Sequence, residues 1–244
     1  MSAASTISAI PNASISLTHA RTSLVGIPQK THYAGTMPPV DAPALPALLD
    51  LAGIAIFALT GALLAARLQQ TFVTMAFFAL VTGVGGGSVR DLLIGAPVFW
   101  VQDPWVAPAC LGVALIAWFT PHRWWEGRTL DWADAVGLAT YSVLGTAKAL
   151  AYGVPPVPSM LMGVITGCVG GITRDVLAGQ PSILMRPELY VTAGALAASL
   201  CALGTTLNIP NAITWAGAAA AGFALRGAAI HWGLAIPAYA HTKT

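Results

Sequence analysis

The residues best suited to chemistry in this chain occur as two copies of one pattern. Gly86-Gly87-Ser88-Val89-Arg90-Asp91-Leu92-Leu93-Ile94-Gly95-Ala96-Pro97 recurs as Gly170-Gly171-Ile172-Thr173-Arg174-Asp175-Val176-Leu177-Ala178-Gly179-Gln180-Pro181, and both fit G-G-x-x-R-D-x-L-x-G-x-P. Each copy sets a guanidinium beside a carboxylate, just past a run of glycines in an apolar stretch. Charged residues in such a setting face a partner or a wet cavity, so the chemistry they suit is the handling of ions. Bond-making chemistry has no such support. The five histidines are scattered, and no Ser/His/Asp or Cys/His set can be assembled. Cys110, Cys168 and Cys201 lie in apolar segments without a C-x-x-C spacing, which argues for small buried residues over a disulfide framework or a metal site. The expectation is a protein that is not an enzyme and holds no resident metal or cofactor.

The register between the copies is 84 residues (Gly86 to Gly170), and it persists upstream without a gap. Thr82 and Gly83 match Thr166 and Gly167; Asp50, Gly53 and Gly61 match Asp134, Gly137 and Gly145; Phe57 matches Tyr141. A whole structural unit is therefore duplicated. The 244 residues are 56% hydrophobic and 8% charged, whereas a soluble domain is about 25% charged. So little charge covers the loops of a membrane bundle but not a globule. The net charge of +2 suggests no nucleic-acid partner. Seven apolar stretches are long enough to cross a bilayer: 44–66, 71–94, 104–120, 132–151, 157–179, 188–206 and 210–228. The expected organisation is a disordered tail over 1–45 and a seven-helix domain over 46–228, followed by a C-terminal tail over 229–244. Within that domain repeat one covers about 46–120, repeat two about 130–206 and span seven 210–228. The Ser-rich, acid-poor tail also fits a transit-type leader, but it lacks the pattern of a cleaved signal peptide.

Lysine and arginine set the direction. Leaving the Arg-Asp motifs aside, with the N-terminus outside Arg67, Arg123, Arg128, Arg186, Arg226 and Lys243 fall inside, and Arg21, Lys30 and Lys148 remain outside. Trp100, Trp105 and Trp215 then lie near the outer interface, and Trp118, Trp124, Trp125, Trp132 and Trp232 near the inner one. A repeat of three spans is odd, so its second copy enters the membrane upside down. The fold expected is all-α, with 3+3 inverted repeats plus one span.

Several glycines together favour a break or kink in spans 2 and 5, since each costs a helix about 1 kcal/mol relative to Ala. A break frees carbonyls that survive at membrane depth only in protein or in a wet cavity. Thr82 and Thr166 add hydroxyls just before it. The competing use of Gly85, Gly86, Gly87, Gly170 and Gly171 is close helix packing, and a kinked helix can do both. Arg90, Asp91, Arg174 and Asp175 either snorkel to the interface or line a vestibule; neighbours on a helix point about 100° apart, so each Arg need not pair with its own Asp. Asp50 and Asp134 read as helix-end carboxylates or as mouth carboxylates that concentrate cations. Lys148 has Leu64 as its repeat mate and reads as a snorkelling lysine or a pore-facing one that tunes gating.

With these residues in place, residues 45–228 resemble the prokaryotic branch of the trimeric intracellular cation (TRIC) channel family, also grouped as a bacterial glycine-transporter-type membrane domain. The resemblance implies a homotrimer with one hourglass pore per protomer, lined by spans 1, 2, 4 and 5 and narrowest at the glycines of spans 2 and 5. It implies conduction of monovalent cations with a preference for potassium, in an inner membrane, among lipids. By motif match Gly85, Gly86, Gly87, Arg90 and Asp91 carry over, as do Gly170, Gly171, Arg174 and Asp175. A glycine or small-solute transporter is the alternative, because inverted repeats with broken helices also build transporters. A structural membrane subunit without transport is a third reading.

Overall fold

The computed structural model describes residues 47–121, 127–185 and 188–237. The expected N-terminal tail lies outside these residues, as do Arg123, Trp124, Trp125, Arg186 and Lys243. The described residues are all-helical: α1 (Ala47–Arg67), α2 (Phe72–Ile94), α3 (Phe99–Gln102), α4 (Val106–Phe119), α5 (Thr129–Ala151), α6 (Pro156–Leu177), α7 (Val191–Thr206) and α8 (Asn211–Trp232). The seven longer helices fall on the seven expected spans. The four-residue α3 was not expected, and a 3-10 turn over Ile183–Met185 stands at its repeat-equivalent place. Span seven also runs on to Trp232, because Ala229 and Ile230 are buried and Gly233 ends the helix in the left-handed region at φ 66°.

Four helices, α1, α2, α6 and α8, are long and apolar enough to cross a membrane by length and composition. The 23-residue α5 carries Asp131, Asp134 and Lys148, and the last two are taken up in buried ion pairs. α4 and α7 have 14 and 16 residues, about 21 and 24 Å at 1.5 Å per residue. Both are short against a core of about 30 Å, and α4 is bracketed by exposed Trp105 and Trp118, the aromatic type that settles at bilayer interfaces.

Packing repeats with the sequence. α1 lies on α2 and α4 as α5 lies on α6 and α7, and α8 closes the bundle against α5 and α7. The halves meet where side chains have been removed. A Cβ on Gly53 would stand 2.7 Å from the Tyr141 ring, and one on Gly137 would stand 3.1 Å from the Phe57 ring. The two rings pack at 5.1 Å. A Cβ on Gly86 would strike the Thr166 carbonyl, and one on Gly170 would stand 2.6 Å from the Thr82 carbonyl. At both crossings, going forward on one helix means going back on its mate. α1 therefore runs antiparallel to α5, and α2 to α6, as an axis in the membrane plane requires.

α2 and α6 remain continuous α-helices through their glycines. The expectation of a break that frees carbonyls is corrected: these glycines serve close approach, and the main chains stay hydrogen-bonded within each helix. Arg226 is a second correction. Counted among the inner-side charges, it is buried within α8 at 0% exposure, donating from Nη1 to Glu188 Oε2 at 2.7 Å and lying 5.3 Å from the centre of the Tyr190 ring. This contact fastens α8 to the segment that precedes α7.

The crossing makes a test between neighbours. A Cβ at Gly85 would meet nothing closer than 3.8 Å, so Gly85→Ala should hold or raise the unfolding midpoint by helix propensity, worth about 1 kcal/mol. Gly86→Ala forces a methyl into a main-chain carbonyl and should cost about 1–3 kcal/mol. Thermal unfolding in detergent reads the difference; equal midpoints for the two variants would contradict the crossing.

Candidate functional site

Each copy of the motif builds the same local device. Arg90 Nε donates to Asp91 Oδ1 at 2.8 Å, and Arg174 Nε donates to Asp175 Oδ1 at 2.9 Å. The second oxygen of each aspartate accepts a main-chain N–H from eight residues on: Phe99 at 3.0 Å for Asp91, Ile183 at 2.8 Å for Asp175. The rest of the motif makes that return reachable. Gly95 and Gly179 take the left-handed conformation after α2 and α6, at φ 70° and 62°. The next residues, Ala96 and Gln180, donate back to the carbonyls of Asp91 and Asp175 at 2.8 and 3.0 Å. This closes the helix ends. The prolines follow, and the chain turns into α3 or into the 3-10 turn.

These charges are inside the protein. Arg90, Asp91, Arg174, Asp175 and Asp134 are all at most 6% exposed. The snorkelling reading therefore fails, and each arginine does pair with its own aspartate. Asp134 is not a helix cap either. It sits inside α5 and accepts from Arg174 Nη1 at 3.0 Å, within its own repeat. The pair that crosses between repeats is Lys148 Nζ to Asp91 Oδ1, at 2.8 Å. Lys148 is mostly buried, with 19% of its side chain exposed, so it does not snorkel. Asp50 lies in the first turn of α1, within electrostatic reach of Arg90 and Lys148, and its carbonyl accepts from the Tyr141 hydroxyl at 3.2 Å.

The two ends thus share a frame and differ in filling. At the repeat-one end, Lys148 and Arg90 lie 5.9 and 6.0 Å from the Phe99 ring centre, and the Trp100 indole donates to Ser88 Oγ at 2.9 Å. A Cβ on Gly87 would stand 2.6 Å from the Phe99 ring. At the repeat-two end the mates are apolar, Leu64 for Lys148 and Ile183 for Phe99, and both line a cavity of about 340 Å³ with Arg67, Asp131, Asp134, Arg174, Asp175 and Gln180. Gly171 leaves room there for the Tyr190 hydroxyl and Asp134 Oδ1, 3.2 and 3.3 Å from where its Cβ would be. Between the ends lies the crossing of Thr82 and Gly86 with Thr166 and Gly170, with Gly85 facing the Gly170 Cα. Thr82 Oγ1 is buried there without a hydrogen-bond partner, while Thr166 Oγ1 donates to the Met162 carbonyl at 2.6 Å. Arg90 and Arg174 each lie about 9 Å past the centre of this crossing in opposite directions, about 18 Å apart along it.

The expected residues therefore gather into three groups, one at the crossing and one at each end. Phe99, Ile183, Tyr190 and Arg226 were missed. The first two carried a signal, since they keep the 84-residue register (Phe99 to Ile183) two places beyond the motif prolines. Tyr190 and Arg226 gave none, because their partners are remote in sequence.

Comparison with known proteins agrees with this arrangement. A family of membrane proteins described as Glycine transporter matches residues 47–122 and again residues 131–206, once in each half. A UPF0126 membrane protein of Vibrio cholerae is 36% identical over 202 residues, covering 80% of this chain and 83% of its own. The UPF0126 inner membrane protein YadS of Escherichia coli K12 is 36% identical over 197 residues, covering 79% and 95%. Among solved structures, the TRIC trimeric intracellular cation channel orthologue from Rhodobacter sphaeroides superposes with a TM-score of 0.72 at 41% identity, covering 77% of this chain and 98% of that one.

The ends make a double-mutant test. Asp91→Ala strands two buried cations and should cost about 3–5 kcal/mol. Lys148→Leu copies the filling that the other end already has and should be mild. Asp91→Ala with Lys148→Leu leaves one stranded cation and should recover part of the loss. Unfolding midpoints measure all three, and simple additivity of the two single losses would contradict the shared site.

Proposed function

This chain belongs to the prokaryotic trimeric intracellular cation channel family, the one described as Glycine transporter, and on that premise we propose that it is a potassium-preferring monovalent cation channel. It works as a homotrimer with a separate pathway in each protomer, lined by α1, α2, α5 and α6. The observation that carries this reading is the reciprocal crossing of α2 and α6, flanked at each end by a buried Arg-Asp device. Such a symmetric arrangement gives a path two similar mouths. Thr82, Gly85, Gly86, Gly87, Thr166, Gly170 and Gly171 form its waist. The Thr82 hydroxyl, buried there without a partner, is the polar oxygen that the waist holds ready for a dehydrating cation. The main chains that meet there also make the waist the gate: conduction requires α2 and α6 to part.

Arg90, Asp91, Asp50 and Lys148 form one mouth, and Arg174, Asp175 and Asp134 form the other. Lys148 occupies Asp91 Oδ1, the oxygen an entering cation would seek. Its withdrawal leaves that oxygen to Arg90 alone and removes one positive charge from the mouth, and a unit charge moving through the membrane field feels about 2.3 kcal/mol per 100 mV. The N-terminus lies outside and the C-terminus in the cytoplasm, a direction that rests on Arg67, Arg123, Arg128, Arg186 and Lys243 without Arg226. A glycine transporter is the second reading. It is favoured by the family's description and by the 340 Å³ repeat-two cavity, where a guanidinium and carboxylates stand together as a zwitterion would require.

Liposomes holding the purified protein distinguish the readings. We expect potassium flux with unitary current steps, indifferent to glycine, and a severalfold larger flux for Lys148→Leu. Saturable glycine uptake without unitary steps would overturn the channel. Unchanged flux in Lys148→Leu would remove the lysine from gating.

A further inference from the structure

Asp50 in α1 and Asp134 in α5 are repeat mates, and only one of them has its partner. Asp134 accepts from Arg174 Nη1 at 3.0 Å, so Arg174 bridges two carboxylates, Asp134 and Asp175. Asp50 stands the same 40 residues before Arg90. It is half-buried in the first turn of α1, yet among the described residues nothing donates to its carboxylate; only its carbonyl is used, by Tyr141. Arg90 gives both Nε and Nη2 to Asp91 Oδ1, each at 2.8 Å. Its Nη1, the nitrogen that Arg174 turns to Asp134, bonds none of the described residues. Asp50 nonetheless lies within electrostatic reach of Arg90, Lys148 and Asp91.

Lys148 makes the difference. Its Nζ holds Asp91 Oδ1 at 2.8 Å, where the other end has Leu64. With the lysine in place the repeat-one end is neutral, Arg90 and Lys148 against Asp50 and Asp91. With the lysine withdrawn, one arginine and two aspartates remain, the same set that repeat two holds bonded. A carboxylate inside a membrane protein is costly until it meets a donor, and Asp50 then has Arg90 to meet. The lysine also has a place to go. Its Nζ lies 5.9 and 6.0 Å from the Phe99 and Tyr152 ring centres, and 19% of its side chain is already exposed. Tyr152 ends α5, where the partial negative charge of a helix C-terminus favours a cation.

We propose that Asp50 is the second seat of a switch at the repeat-one end. When Lys148 leaves Asp91 for the Tyr152 side, Arg90 bridges Asp91 and Asp50 as Arg174 bridges Asp175 and Asp134. The inverted repeat thus holds, in its second half, the alternative geometry of its first. Asp50 makes this bond only in the lysine-out arrangement, and such a difference between two states is what shifts their populations. Asp50 acts through Arg90, so it is a positioning residue. The proposal rests on the gating role that the channel reading gives Lys148.

Lys148→Leu fixes the lysine-out arrangement and makes the test. A crystal structure of this variant should show Arg90 bonded to both Asp91 and Asp50; Arg90 on Asp91 alone would overturn the proposal. Thermal unfolding in detergent gives a second readout that needs no transport. Asp50→Asn should lower the midpoint of the Lys148→Leu protein by about 5 °C and that of the unaltered protein by less. Net charge alone demands the reverse order, because Lys148→Leu leaves this end with an excess carboxylate that Asp50→Asn removes; that order would also overturn the proposal. Potassium flux in liposomes reads the gate. Asp50→Asn should lower flux severalfold in the unaltered protein and much less beside Lys148→Leu, which has no lysine to return. The same fractional loss in both backgrounds is what a carboxylate that only gathers cations gives, and it would remove Asp50 from the switch. Absent potassium flux in the unaltered protein would instead fell the channel reading, and the structure and the unfolding order would still decide whether Arg90 changes partners.

Discussion

Two aspartates hold this molecule's ends in place. Asp91 and Asp175 each divide their oxygens between the neighbouring arginine and a main-chain N–H eight residues on. A carboxylate buried at membrane depth is costly, and it persists because each of its two oxygens meets a donor. The aspartate thereby does two jobs. It neutralises a guanidinium that could not otherwise stay inside, and it ties the chain that leaves the helix back against the helix end. Every other element of the motif serves that bond. The left-handed glycine stops the helix, the proline directs the return, and the paired glycines let the helix approach its antiparallel mate closely enough for the two ends to belong to one structure.

The duplication explains the symmetry, and the departures from it locate specialisation. Lys148 against Phe99 at one end becomes Leu64 against Ile183 at the other. A cation over an aromatic face has been exchanged for an apolar pair on the same scaffold. The repeat-one aspartate consequently carries two cations, while at the other end a second aspartate, Asp134, shares the arginine. The two ends share the same aspartate-to-main-chain frame and differ in charge.

Much of this was legible in the sequence because the duplication is an alignment of the chain with itself. Seven helices follow from the apolar stretches and their inversion from the register and the parity of three spans, whereas the meeting of spans 2 and 5 at their glycines was what the family resemblance implied. Three kinds of feature did not follow. Glycine runs allow either a break or close packing, and only the position of the facing helix decides; Gly86 against the Thr166 carbonyl shows packing. Arg90 and Asp91 point apart on an ideal helix, yet the arginine side chain is long enough to curl back to its neighbour. Arg226, near the end of the expected span 210–228, counts as an inner-side charge until Glu188 is seen to meet it inside the protein. In each case the deciding partner lies across space at a distance that periodicity does not encode.

The central claim is that ions pass where α2 crosses α6. A Cβ on Gly85 would stand 4.0 Å from Thr173 Oγ1, so cysteines at these two positions are within reach of a disulfide. The direct measurement is potassium current through Gly85→Cys/Thr173→Cys protein, with Cys110, Cys168 and Cys201 replaced by alanine, before and after oxidation. The account predicts that closing the bridge stops the current and that a reductant restores it. Full potassium current through the bridged protein would contradict it.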